Sequence, residues 1–221
     1  MCGISGFSDK NFFGDKEIIL KFQKTLNHRG PDFTNYLEYK PLTLISNRLS
    51  ILDLSNQGNQ PMESSTQRYA IVYNGEIYNH IELRNSYLSN YKFSSKSDTE
   101  TILELIEKFG IKKTCNLLDG MFAFALLDKV DNKLFLVRDR NGQKPLYYYK
   151  NNNSFVFSSE IKVFKHFPNF KNTISKIGEQ LYLKFGYIHY PHTIYDEISK
   201  LDPKYLLELD LHNNNINFSE I

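Results

Sequence analysis

Beyond Gly120 the chain is a succession of short apolar runs closed by tight turns. Met121 to Leu127 is followed by a turn at Asp131-Asn132, then Lys133 to Arg138, Pro145 to Tyr149, a turn at Asn151 to Asn153, and Ser154 to Phe157. Connections this short leave no room for a crossover, so these strands must pair antiparallel. A last hairpin turns at Asn213 to Asn215. A sheet made this way buries only one face unless something covers the other, and the first half of the chain supplies the covers.

Asp15 to Leu26 carries Ile19, Phe22 and Leu26 at helical spacing. Ser97-Asp98-Thr99-Glu100 has capping-box spacing, and Ile102, Leu105, Ile106 and Phe109 form the apolar stripe of a helix that Gly110 ends. Asn79 and Glu82 have similar spacing for a helix through about Tyr87, and Glu160 to His166 and Ser175 to Phe185 also read as helices. Strands are expected at 3 to 7 and 69 to 73, with two extended runs between Tyr36 and Asp53. In the second run, Leu42 to Ile51, alternation places Arg48 and Ser50 on one face and Leu49 and Ile51 on the other. Asn74-Gly75, taken locally, is a tight turn, since both residues tolerate positive φ. No repeat or linker divides the 221 residues, and 41% hydrophobic content suffices for one large core. The expected fold is a single α+β domain over 1–221, two antiparallel sheets packed face to face under outer helices.

Composition removes several classes of function. A net charge of +2 from 27 basic and 25 acidic residues leaves no footprint for nucleic acid or an anionic membrane. No apolar run approaches the ~18 residues of a membrane span, and the N-terminus lacks a basic region, so a cytoplasmic protein is expected. With two cysteines, a disulfide framework is not expected. The spacing of the six histidines suggests no metal site. Cys115, in a short helical stretch, reads as a small buried thiol.

Cys2 is different. Removal of Met1 would leave one residue carrying both a thiol, near pKa ~8.5, and a free α-amine, near ~7.7 to 8.0. The amine can then hold the thiol's proton near neutral pH, and because the direct contact is badly bent a bridging water is expected.

Six stretches in order closely resemble the glutamine amidotransferase domain of asparagine synthetases: Cys2-Gly3-Ile4, His28-Arg29-Gly30-Pro31-Asp32, Arg48-Leu49-Ser50-Ile51, Gly58-Asn59-Gln60-Pro61-Met62, Tyr73-Asn74-Gly75-Glu76-Ile77-Tyr78-Asn79 and Ser97-Asp98-Thr99-Glu100. Leu118 to Phe124, Arg138-Asp139-Arg140 and Lys144 to Tyr148 look like the same family. Phe185-Gly186-Tyr187-Ile188 with Pro191-His192-Thr193-Ile194 favours asparagine synthetase over amidophosphoribosyltransferase.

The resemblance implies an N-terminal-nucleophile hydrolase fold, a four-layer αββα sandwich. It implies that Cys2 attacks the side-chain amide of glutamine, with the Asn74 amide and the Gly75 N–H as oxyanion hole. Arg48 would grip the substrate carboxylate, Asp98 and Glu76 would face its ammonium, and Ile51 would line the substrate site. The His28 to Asp32 loop is expected to brace the nucleophile. No cofactor is implied for this domain. Mg-ATP belongs to a C-terminal synthetase domain that would take the ammonia, and no phosphate-cradling glycine loop occurs in these residues. Partners implied are glutamine, that synthetase domain and, in a homodimer, a second copy. A glutamine-binding module without turnover and an amidohydrolase for another amide are the competing expectations. One departure concerns Leu201 to Tyr205, where the family's Pro-Pro-Gly lacks its glycine and a different turn is expected.

Overall fold

A computed structural model describes residues 1–221. Twelve strands form two six-stranded sheets, antiparallel throughout the paired strands. The first sheet contains β1 (Gly3–Ser8), β2 (Phe33–Tyr39), β3 (Leu42–Arg48), β8 (Tyr147–Lys150), β9 (Phe155–Ser158) and β10 (Ile198–Lys200), in the order β10-β8-β9-β1-β3-β2. The second contains β4 (Met62–Glu63), β5 (Tyr69–Ile77), β6 (Gly120–Asp128), β7 (Lys133–Arg138), β11 (Tyr205–Asp210) and β12 (Ile216–Glu220), in the order β12-β11-β7-β6-β5-β4.

Period-two alternation divides each central strand between two cores. The inward residues of both sheets, among them Ile4, Leu44, Val72, Ala125, Leu136 and Leu207, form the middle layer. The opposite face of the first sheet, with Phe7 and Ile45, packs under α1 (Lys16–Leu26) and the 3-10 turn Ile161–His166. The opposite face of the second, with Ile71, Tyr73, Phe122 and Phe124, packs under α2 (His80–Tyr87), α3 (Asp98–Phe109) and α4 (Ile111–Leu117). The result is the αββα sandwich. Each buried Leu, Ile or Phe of α1 and α3 contributes roughly 1.5 to 3 kcal/mol, which holds these short helices down where propensity alone would not. The fifth helix, α5 (Lys176–Phe185), buries only Gly178.

Several local expectations change. The short connection from β7 to β8 is not a hairpin: Asp139 accepts from the Asn141, Gln143 and Lys144 N–H groups, and the chain crosses there from the second sheet to the first, so β7 pairs with β6 and β11 and β8 with β9 and β10. The 160 to 166 segment is 3-10 rather than α-helical. Asn74-Gly75 makes no turn, because nine residues of β5 pair continuously with β6 and place Asn74 opposite Ala123 and Gly75 opposite Phe122. The long Leu42 to Ile51 run stops as a strand at Arg48, where Asp32 accepts from the Ser50 N–H (2.8 Å) and the chain leaves the ladder. Asn79 does not cap α2; its amide instead donates to Leu117 O and accepts from Asp119 N–H, tying α2 to the end of α4. Ser97 does cap α3 through the Thr99 N–H, but Glu100 turns to the Ser94 and Ser95 N–H groups and does not close the box. At the altered turn Lys204 takes φ +66°, so a lysine holds the left-handed position where the family pattern has glycine.

Candidate active site

Gly3 pairs with Asn47, which brings Cys2 out of β1 beside the end of β3. The Leu49 N–H points at Cys2 Sγ (3.4 Å), and the thiol in turn reaches Leu49 O (3.7 Å). Arg29 Nε donates to Cys2 O (3.0 Å), and Arg29 is itself held by Glu160 (3.1 Å), which also meets His28 (2.8 Å). Burial acts to raise the Glu160 pKa, but these two partners outweigh it and hold the carboxyl below its usual value. The His28 to Asp32 loop therefore fixes both the backbone of Cys2 and, through Asp32, the segment that cradles its sulfur.

Cys2 opens on a cleft of about 590 Å³, counting its open mouth. Arg48, Ile51, Asn74, Gly75, Glu76 and Asp98 all line it with Cys2. They come from β3, the loop after it, β5 and the first turn of α3, so their convergence is a product of the two-sheet packing.

Arg48 spends three of its five N–H donors on the loop after β3: Ser55 O (2.9 Å), Asn59 Oδ1 (2.7 Å) and Asp53 O. Nε–H and one Nη2–H remain, two adjacent donors matching a carboxylate fork. Gly58 makes this packing feasible, since a Cβ there would overlap the guanidinium. Asp98, buried, accepts from the Tyr73 hydroxyl (2.7 Å) and the Ile77 N–H (2.9 Å), both through Oδ2. Burial raises its pKa, with those two hydrogen bonds pulling the other way.

β4 covers β5 only at Ala70 and Ile71, which leaves the rest of that edge unpaired by strand. On it the Tyr73 N–H is taken by Gln60 Oε1 (2.7 Å) and the Ile77 N–H by Asp98. By the same alternation the Gly75 N–H lies between them, with no such cap. A side chain at Gly75 would overlap Met121 O on β6, so only glycine lets the two backbones approach this closely.

Asn74 is wholly buried, yet neither its Oδ1 nor its Nδ2 has a hydrogen-bond partner. An amide left this way costs about 1 to 3 kcal/mol and is uncommon in a native core. Ile51, expected to be apolar lining, stands 61% exposed at the rim. Burial pushes the Cys2 thiol up, opposed by its Leu49 contact, the nearby terminal amine and Arg48, while Asp98 pushes the same way as burial.

Residues that the sequence reading did not single out also line the cleft, notably Tyr73, Gln60, Leu49 and Lys144. All four lie within the family-like stretches, but the hydrogen-bonding parts of Gln60 and Tyr73 emerge only from the register of β5. Met1 sits in the cleft as well, 52% exposed. No group of three or more His, Cys, Asp or Glu side chains is arranged to hold a metal, and no helix is long and apolar enough to cross a membrane.

Residues 1–218 match the family model described as a glutamine amidotransferase domain. A chain from Methanocaldococcus jannaschii assigned as its second glutamine-hydrolysing asparagine synthetase is 38% identical over 98% of this chain and 45% of its own length. The Bacillus subtilis glutamine-hydrolysing asparagine synthetase 1 is 35% identical over 92% of this chain and 32% of its own. This chain thus spans less than half the length of either relative. Among solved structures, the glutamine phosphoribosylpyrophosphate amidotransferase of B. subtilis superimposes with a TM-score of 0.71 over 99% of this chain and 49% of its own, at 17% identity, a likeness of fold alone.

Proposed function

From the premise that this chain belongs to the glutamine amidotransferase domain family, we propose that it hydrolyses glutamine through Cys2 and that, within a longer synthetase, the released ammonia serves asparagine formation from aspartate. The observation that carries the hydrolytic reading is the buried, unpartnered amide of Asn74 in the cleft that Cys2 opens on. A donor aimed at nothing in the resting protein is what a charge formed only during reaction requires.

With Met1 removed, the α-amine of Cys2 takes the thiol proton through water and the sulfur attacks the substrate amide carbon. The carbonyl oxygen becomes an oxyanion between Asn74 Nδ2 and the Gly75 N–H. As the intermediate collapses, the C–N bond breaks, the nitrogen takes the proton from the amine, and ammonia leaves a thioester on Cys2. Water then attacks that carbon, the C–S bond breaks, the sulfur regains a proton, and glutamate departs. The two free donors of Arg48 receive the substrate α-carboxylate, and Asp98 and Glu76 face its α-ammonium. Opposite charges lining one cleft suit the zwitterionic end of a free amino acid, whose carboxylate and ammonium share one carbon, better than an internal peptide residue.

The ammonia-using half of the proposal rests on the relatives, which are two to three times longer and carry the name glutamine-hydrolysing asparagine synthetase. The adenylation and its Mg-ATP would lie in their additional residues.

Release of glutamate and ammonia from glutamine by the Met1-free chain, with asparagine as the contrasting substrate, tests the reading. Binding of glutamine without turnover would replace the enzyme with a recognition module, and preference for another amide would replace the substrate. Arg48→Lys should raise KM for glutamine at least about tenfold with kcat little changed, because an ammonium cannot reproduce a fork. An unchanged KM removes Arg48 from carboxylate binding. A matching thermal midpoint is needed, since Arg48 also braces the 53 to 59 loop.

A further inference from the structure

We propose that Lys144 is a positioning residue for this reaction: its unpaired ammonium, held beside Cys2, keeps the processed α-amine unprotonated and the thiol reactive near neutral pH. The inference rests on the function proposed above and adds a residue from outside the β1, β3, β5 and α3 constellation.

Lys144 lies in the loop between β7 and β8, clamped at both ends of its peptide. Its N–H donates to Asp139 Oδ2 (3.0 Å), and its carbonyl accepts from Arg138 Nε (2.7 Å). Asp139 also accepts from the Asn141, Gln143 and Phe122 N–H groups, and Arg138 Nη1 reaches Leu201 O (2.7 Å). This much fixing aims the side chain inward: the residue is 4% exposed and lines the cleft. Lysine is rarely buried to this degree without a partner. Here no carboxylate oxygen lies within ion-pair distance, and the one hydrogen bond of Nζ is to Met1 Sδ (2.8 Å).

Removal of Met1 takes that contact away and creates a new amine on Cys2. The charged groups around this point come from every neighbouring element: Arg29 and Asp32 from the loop after α1, Arg48 from β3, Glu76 from β5 and Asp98 from α3. Arg29 is neutralised by Glu160 and bonded to Cys2 O, and Arg48 is committed to its loop. Asp139 is bonded to backbone N–H groups but, like Glu76, still acts on Lys144 at longer range. Lys144 differs from Arg48, which also lacks a carboxylate partner, in that its ammonium is bonded to no carboxylate, carbonyl or amide oxygen and is free to act on the new amine. A like charge disfavours the protonated amine, and the same charge favours the thiolate. In the unprocessed chain the terminal amine already lies below its ordinary value through burial, with Arg29 and Lys144 adding to that and Cys2 and Asp32 opposing it. Burial and then Arg29 likewise lower the Lys144 ammonium, with Asp139, Glu76 and Cys2 opposing them.

The sign follows directly. A lower amine pKa moves the acid limb of kcat/KM toward lower pH, so loss of the Lys144 charge must move it up. The test compares Met1-free wild type, Lys144→Met, Lys144→Gln and Lys144→Arg. Lys144→Met and Lys144→Gln should shift the acid limb upward by on the order of one pH unit, cut kcat/KM below neutrality about tenfold, and leave plateau KM within about twofold. Lys144→Arg should restore the limb. In parallel, the pH dependence of Cys2 alkylation by iodoacetamide should shift the same way; Cys115, 2% exposed, does not compete. An unmoved acid limb together with an unmoved alkylation midpoint overturns the proposal, as does an arginine variant that behaves like methionine. Absence of glutaminase activity in the wild type would instead sink the proposed function, while the alkylation series would still decide the role of the Lys144 charge.

Discussion

Asn74→Ala should lower kcat for glutamine hydrolysis roughly 100- to 1,000-fold with KM within about twofold of wild type, the size of effect expected when one oxyanion donor is lost. The reason is specific to this side chain. Asn74 projects from β5 into the layer between the sheets, is wholly buried, and has neither amide atom paired. Ground-state binding is assigned to Arg48, Asp98 and Glu76 at other positions of the cleft, so truncation at Asn74 removes an interaction that exists only after attack. The same observation predicts an opposite effect on stability. Replacing an unpaired buried amide by an apolar group of the same shape removes its desolvation penalty. Asn74→Leu should therefore be more stable than wild type by about 1 kcal/mol while almost inactive. Steady-state kinetics and chemical denaturation of the two variants check this. A rise in KM with kcat unchanged would assign Asn74 to substrate binding, and a large loss of stability in Asn74→Leu would mean that the amide finds a partner at rest.

Retention of Met1 should suppress glutaminase activity roughly 100- to 10,000-fold, the contribution of a positioned base. Two physical causes act together. The amide nitrogen that then precedes Cys2 cannot accept a proton, and the Met1 side chain lies in the cleft where the substrate must enter, engaged with Lys144 Nζ. A folded chain with intact Cys2 should thus be nearly silent until an aminopeptidase exposes the cysteine. Mass spectrometry of the terminus beside a glutaminase assay, before and after such treatment, measures this, and full activity in material that retains Met1 overturns the amine as base.

The two sheets and their covering helices were legible because hairpin spacing and 3.6-residue periodicity are local signals. The helices α1 and α3 and the strand pairs β6-β7, β8-β9 and β11-β12 follow from them, with their ends displaced by a residue or two, whereas the equally short β7-β8 connection passes between the sheets instead of pairing its strands. What local signals misread was Asn74-Gly75. The dipeptide tolerates a turn, but pairing with β6 and the close approach that only Gly75 permits override that preference. The run after Arg48 was misread for a similar reason, since Asp32, distant in sequence, takes the Ser50 N–H and ends the strand. The motif residues Cys2, Arg48, Asn74, Gly75, Glu76 and Asp98 could be named from the sequence, and the structure gathers them with Ile51 into one cleft. That Arg48 spends three donors on its own loop, or that Asn74 is unpartnered, depends on packing between elements far apart in the chain. Lys144, named only as the start of a family-like stretch, carried no role in the sequence because a lysine in a loop is ordinarily solvated, and only the Arg138-Asp139 clamp turns it inward.

The central claim is that the sulfur of Cys2 carries the acyl group. The most direct measurement is the mass of the N-terminal peptide from Met1-free enzyme quenched with acid during turnover of glutamine. The expected result is a γ-glutamyl adduct on the peptide beginning at Cys2, absent without glutamine, lost on treatment with hydroxylamine, and absent in Cys2→Ala. Steady glutamate release from Cys2→Ala at the wild-type rate would contradict the account.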